Sequence, residues 1–340
     1  MIDNHRPPDL YLPLNTESWA PGAIDLTYGD LEIWSMSFYD EILLRNPDGL
    51  VNGQSMAKII SRCIPRIKNP WLIPENDYQH IIAGLTLASY GNKITVKVKC
   101  DKCKESNEYQ LNLQNFLETQ KHSTPKTFNI GDLQFVLGDA VYKDLVVYRN
   151  NNYRLLKSIT HIQSNPEVAF DVELLQKEIN QYRKNEIWLK SRRIKKIEVA
   201  GMGAFDQPDQ IKSLIESFNK ETMTQLDILA LNRNKVNIQK FECGSCNHKN
   251  STAVTLDPAE QFYRQLLNTN DDNIEKLFES MENEVKEIRK EVARLVWFMR
   301  GSVSYAECMQ MSQSERNSLG DQIKDNIETM KKNKFQVNLI

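Results

Sequence analysis

Hydrophobic and polar positions alternate along two stretches of the chain, and each stretch surrounds a pair of cysteines. Ile94, Val96 and Val98 take every second place before Cys100, and Tyr109, Leu111 and Leu113 do so after Cys103. Val236 and Ile238 lead into Cys243, and residues 253–256 lead out of Cys246. A period of two is that of a strand with one covered face, so each pair stands at the tip of a predicted β-hairpin. Residues 10–15 read as extended, and residues 30–36 alternate as a strand. Ser37 can cap a helix that includes residues 39–45, which Asn46-Pro47-Asp48-Gly49 stops. Residues 55–63 form a short helix ended by Pro65. Asn76 can cap a helix through Ser89, with Ile81, Ile82, Leu85 and Leu87 on its apolar side and Gly91 as its stop. Residues 168–188, 208–218 and 222–231 read as further amphipathic helices.

Beyond Asp257-Pro258 the period changes to that of one long helix. Ile274, Leu277, Met281, Val285, Ile288, Val292, Leu295 and Met299 recur at three- and four-residue steps and end near Gly301. Ser312-x-x-Glu315 is a capping box for a last helix through Lys332, and residues 335–340 look like an extended tail.

The text before the two hairpins is similar. Ala88-x-x-x-Asn92-Lys93-Ile94-x-Val96 matches Ala230-x-x-x-Asn234-Lys235-Val236-x-Ile238, and residues 31–46 resemble residues 133–150, each a strand running into a helix that ends in Arg-Asn. The pattern predicts an α+β protein of two helical lobes, each with a β-hairpin cysteine knuckle, joined at one zinc-ribbon-like site and followed by a helical C-terminal region. The divisions expected are 1–120, 121–257 and 258–340.

Two thiolates two residues apart can grip one metal from a single tight turn, and two such turns complete a tetrahedral site. Cys100, Cys103, Cys243 and Cys246 are therefore the expected ligands of one structural Zn2+. Four thiolates close the coordination sphere, so the site has no open position for chemistry. The alternative is two separate redox pairs, but neither sits in a thioredoxin-like βαβ context. Cys63 and Cys308 fall in amphipathic helical patterns and read as small buried apolar residues.

Composition adds bounds. A chain of 340 residues with net charge −2, 40% hydrophobic and 26% charged residues is ordinary for a globular protein and is no obvious nucleic-acid binder. No apolar run approaches a membrane span, and the first fifteen residues hold no signal-peptide core. The cysteine usage suits a reducing compartment.

The combination resembles the baseplate hub and hub-assembly proteins of T-even-type contractile-tailed phages. The residues that carry the likeness are Tyr39-Asp40-Glu41-Ile42-Leu43-Leu44, Asn46-Pro47-Asp48-Gly49-Leu50, Ser61-Arg62-Cys63-Ile64-Pro65, Ala88-Ser89-Tyr90-Gly91, the two Cys-x-x-Cys pairs, Asp257-Pro258 and Phe262. The resemblance implies a structural or assembly role with other phage baseplate or tail proteins as partners and no enzymatic activity. It places the protein in the virion tail baseplate or, during assembly, in the infected host cytoplasm. The chain departs from the family by an insertion around residues 168–196.

No catalytic constellation stands out. His5, His80, His122 and His161 lack a carboxylate partner at metal-ligand spacing, and His248 reads as a solvated hairpin residue beside a filled tetrahedron. Gly201-Met202-Gly203 is too short for a phosphate loop, and Asp271-Asp272 suits a helix start. One charge run, Arg183, Lys184, Lys190, Arg192, Arg193, Lys195 and Lys196 around Trp188, motivates the alternative of a zinc-ribbon nucleic-acid-binding phage protein. Glu186 and Glu198 dilute it toward an ordinary solvated face. The 139 residues between Cys103 and Cys243 suit a clamp between lobes better than a compact ribbon.

Overall fold

The computed structural model describes residues 7–17, 19–25, 29–119, 127–164, 172–233, 238–253, 256–269 and 271–332. Among them the chain is a mixture of helix and small antiparallel sheets. Strand β1 (Leu10–Leu12) pairs with β2 (Leu31–Ile33), and Leu12, Leu31 and Ile33 turn inward. Ser37 caps α1 (Phe38–Leu43), where its side chain and backbone exchange hydrogen bonds with Asp40. Asn46-Pro47-Asp48-Gly49 ends α1, as expected, but it also starts another helix. The Asn46 side chain accepts from the Gly49 N–H and Pro47 takes the first helical position of α2 (Pro47–Val51). Next come α3 (Gln54–Cys63), a single 3-10 turn (Pro70–Leu72) and α4 (Glu75–Tyr90), stopped by Gly91 at φ +83°.

Asn76 does not cap α4. Pro74 holds that place, and the Asn76 amide donates to Asp139 at 2.6 Å instead. A tertiary partner has taken the side chain that the local pattern assigned to the helix end.

Hairpin β3 (Lys93–Lys99) and β4 (Ser106–Asn112) follows, and Leu113 opens α5 (Leu113–Thr119) rather than continuing the strand. Strands β5 (Thr127–Ile130), β6 (Leu133–Leu137), β7 (Ile194–Val199) and β8 (Gly203–Phe205) form one antiparallel sheet in that order. Two helices fill the β6–β7 connection, α6 (Tyr142–Ser164) and α7 (Val172–Arg192). Strand β6 runs into a helix as expected, but α6 continues well past Arg149-Asn150. Residues 172–196 are no surface appendage, because they supply α7 and the first half of the inner strand β7. Gly201-Met202-Gly203 is the β7–β8 turn, with both glycines at positive φ. Helices α8 (Pro208–Glu216) and α9 (Lys220–Arg233) precede the hairpin β9 (Ile238–Glu242) and β10 (Lys249–Ala253). The chain then forms α10 (Pro258–Asn268), the long α11 (Asp271–Phe298), α12 (Tyr305–Met309) and α13 (Gln313–Lys332). Residues 335–340, and the part of the second repeat at 234–236, lie outside the described residues.

One large core joins β1, β2, α2, α3 and α4 to residues far along the chain, including Tyr142, Phe241, Phe262 and Met281. A second core lies between the four-stranded sheet and α8 and α9, around Phe135, Ile197, Ile211 and Leu226. A third, small cluster sets Phe38 against Val292 and Cys308. Cys63 and Cys308 are both buried, as their helical patterns imply. Polar ties lock these parts together. The Glu75 N–H donates to Ala140 and the Tyr142 N–H to Ile73. Arg193 donates to both oxygens of Glu75, at 2.8 and 2.6 Å. Asp257 caps α10 and pairs with Arg149 at 2.9 Å. No helix among the described residues is long and apolar enough to cross a membrane.

Candidate metal centre

The two cysteine knuckles have the same backbone. Lys99 pairs with Ser106 in one hairpin and Glu242 with Lys249 in the other, so six residues turn the chain each time. The Cys100 N–H donates to Glu105 and the Cys100 carbonyl accepts from Lys104, both at 2.9 Å. The Cys243 N–H donates to His248 and the Cys243 carbonyl accepts from Asn247, also at 2.9 Å. Lys104 (φ +63°) and Asn247 (φ +53°) both take the left-handed conformation that reverses the chain after the second cysteine. This turn leaves the two thiols of each knuckle on one side.

The tips meet. Cys100 Sγ lies 3.7 Å from Cys246 Sγ, and Cys103 Sγ lies 3.6 Å from Cys243 Sγ. All four sulfurs lie within 4.8 Å of one another. A tetrahedron of sulfurs about 2.3 Å from a central zinc has edges of about 3.8 Å, so both contacts between hairpins have the required length. Cys100 and Cys243 are buried, Cys246 is half-buried and Cys103 is exposed.

The electrostatics suit a cation. The Cys103 N–H aimed at Cys100 Sγ lowers that thiol, helped by Lys102 and opposed by desolvation. The Ser245 N–H, opposed by desolvation and aided by the Cys246 N–H, takes the Cys243 thiol down to about 6. The Glu105 backbone would lower Cys103, but desolvation and the neighbouring sulfurs push it up to about 12. Two thiols are thus lowered and a third raised, and a cation placed among the sulfurs would offset their mutual repulsion. The donor set fits a metal, and these four cysteines can hold one.

Further contacts brace the tips. Tyr109 stacks on Phe241 with ring centroids 4.3 Å apart, and its hydroxyl donates to the Glu242 carbonyl at 2.7 Å. The Asn107 side chain accepts from the Gly244 N–H at 3.0 Å, and the Asn250 side chain accepts from the Asp101 N–H at 2.9 Å. Sequence reasoning passed over both asparagines. The signal was present: Cys-Asp-Lys-Cys-Lys-Glu-Ser-Asn and Cys-Gly-Ser-Cys-Asn-His-Lys-Asn each end in asparagine seven places after the first cysteine.

His248 contributes its backbone carbonyl to the knuckle and does not join the sulfur cluster. His80 is buried in α4. His5 and His122, and the side chain of His161, lie outside the described residues. The basic run is largely spent on acids. Arg193 holds Glu75, Lys190 lies 2.5 Å from Asp227, Lys196 pairs with Glu198, and Arg192 sits near Asp144 and over the Trp188 ring.

A family model described as T4 bacteriophage base plate protein matches residues 39–264, which is 226 of the 340 residues. Its span takes in both hairpins and ends within α10. No curated protein and no solved structure matches the chain.

Proposed function

Because the chain belongs to the family of T4 bacteriophage base plate proteins, we propose that it builds or assembles the central hub of a contractile-tail baseplate through protein–protein contacts, held in shape by one structural zinc. The family match carries the baseplate role, and the convergence of two knuckles from hairpins 143 residues apart carries the clamp. A metal held by Cys100, Cys103, Cys243 and Cys246 would close a long loop and tie early and late parts of the chain into one body. In this reading the knuckles join two lobes, 1–120 and 121–257, with 258–340 as a helical C-terminal region. The core around Phe135 lies wholly within 121–257 and supports that lobe, while the large core and the Phe38–Val292 cluster tie the three parts together.

Four thiolates leave no coordination position for substrate, which supports a scaffold over an enzyme. Other baseplate or tail proteins are the partners, and the virion baseplate is the place of action. The pairing of Arg193, Lys190 and Lys196 with carboxylates supports protein contacts over the nucleic-acid-binding alternative. Filter binding to duplex DNA at several salt concentrations separates the two. Weak binding is expected; tight, steeply salt-dependent binding lost in Arg192→Gln/Lys195→Gln would overturn the hub reading. Deleting the gene in the phage should leave filled heads and defective tails. Mass spectrometry of purified virions against infected-cell lysate then separates a resident subunit from an assembly factor.

A further inference from the structure

The asparagine seven residues after the first cysteine of each knuckle reaches across to the other knuckle. Asn107 Oδ1 accepts from the N–H of Gly244, the residue after Cys243. Asn250 Oδ1 accepts from the N–H of Asp101, the residue after Cys100. Each amide also holds its own hairpin, Asn107 Nδ2 donating to the Glu105 carbonyl at 3.1 Å and Asn250 Nδ2 to the His248 carbonyl at 3.2 Å. Those same carbonyls accept the N–H groups of Cys100 and Cys243. These bonds of one arm have their equivalents in the other, so the two arms are related by a local pseudo-two-fold. Asn107 Nδ2 also lies 3.5 Å from Cys243 Sγ, where it can donate to a thiolate.

We propose that Asn107 and Asn250 are positioning residues that clasp the two knuckles and set the affinity of the four-cysteine site for its metal, an inference that rests on the metal reading above. Bringing four thiols together from two hairpins costs conformational entropy, and a cross-hairpin clasp meets that cost before the ion arrives. A divalent ion among four thiolates leaves a net negative centre, which N–H donors around the sulfurs stabilise. Loss of such an outer partner typically lowers metal affinity about 10–100-fold.

The test uses the full chain and zinc alone, titrated against a chromophoric chelator, with cobalt spectra to report four-thiolate coordination. Amide exchange at Asp101 and Gly244 is read in the metal-free protein. Asn107→Ala and Asn250→Ala should each weaken zinc by about 10–100-fold while keeping the cobalt spectrum. Exchange should quicken at Gly244 in the first variant and at Asp101 in the second, each across the pseudo-two-fold from the mutation. Asn107→Asp guards against misfolding. It keeps the acceptor for Gly244, so that amide stays protected, yet it sets an anion near Cys243 Sγ and should still weaken zinc. Wild-type affinity in both alanine variants would overturn the clasp while leaving the metal reading intact. A wild-type chain that takes up neither zinc nor cobalt would overturn the metal reading, and this role with it.

Discussion

Arg316, near the start of the last helix, forms a two-pronged ion pair with Glu41 in the first, 275 residues away in the chain. Both side chains are nearly buried, and the guanidinium lies over the Phe38 ring at 3.9 Å. The Ser312 N–H and Ser37 N–H are each capped by their own acid, so the two helices meet start to start with their ends satisfied. The contact docks the C-terminal helices on the body. Removing one partner leaves the other charge buried and unpaired.

Arg316→Met should therefore destabilise the protein by about 3 kcal/mol in chemical unfolding. Limited proteolysis should first cut α13 free, because the damage is local to its docking. A variant that unfolds at the wild-type denaturant concentration would show that the pair adds nothing to docking.

Purified protein should carry about one equivalent of zinc, and Cys243→Ser should abolish its tight binding. Chelation should lower the melting temperature and expose both hairpins to proteases together. Unchanged metal content in Cys243→Ser would mean that the two knuckles do not share an ion.

Asp77 links stability to pH. Burial pushes its carboxyl up to about 6, the Trp19 indole N–H at 2.6 Å opposing the shift and Asp139 adding to it. The folded value is raised above the ordinary 3.8, so the folded state binds the extra proton. The stability this contributes is fully present below pH 3.8 and is lost as pH rises through about 6. Asp77→Asn keeps an acceptor for Trp19 and does not titrate. Relative to wild type it should gain up to about 3 kcal/mol between pH 4 and 7, measured by urea melts across that range. A constant difference between the two proteins would remove Asp77 as the source.

Gly53 stands at φ +77°, and a Cβ there would lie 2.7 Å from Val146 Cγ2 and 3.0 Å from the Tyr142 hydroxyl. Gly53→Ala combines left-handed strain with overpacking and should cost about 3 kcal/mol. A melting temperature within a degree of wild type would show that the α2–α3 turn can shift at no cost.

The local elements were legible because their causes are local. Ser37 and Ser312 cap helices through acids three residues on, and the apolar stripe of α11 repeats with the helix period. The cysteine spacing predicts a knuckle wherever it stands, since two residues between thiols dictate the turn. The four-stranded sheet was not legible. Its strands β6 and β7 are separated by two helices, and pairing across such a gap depends on what those helices bury, not on the pattern within either strand. Asn76 shows the same limit: its local role as a cap lost to Asp139, 63 residues away. Likewise the sequence alone shows that the basic run is charged, while only the fold shows that Glu75 and Asp227 lie against it. Spacing along the chain determined which thiols could share an ion. Only the tertiary structure could set Cys100 beside Cys246 and Cys103 beside Cys243, because long-range hairpin docking is fixed by complementary surfaces such as Tyr109 on Phe241 and not by any periodicity of the chain.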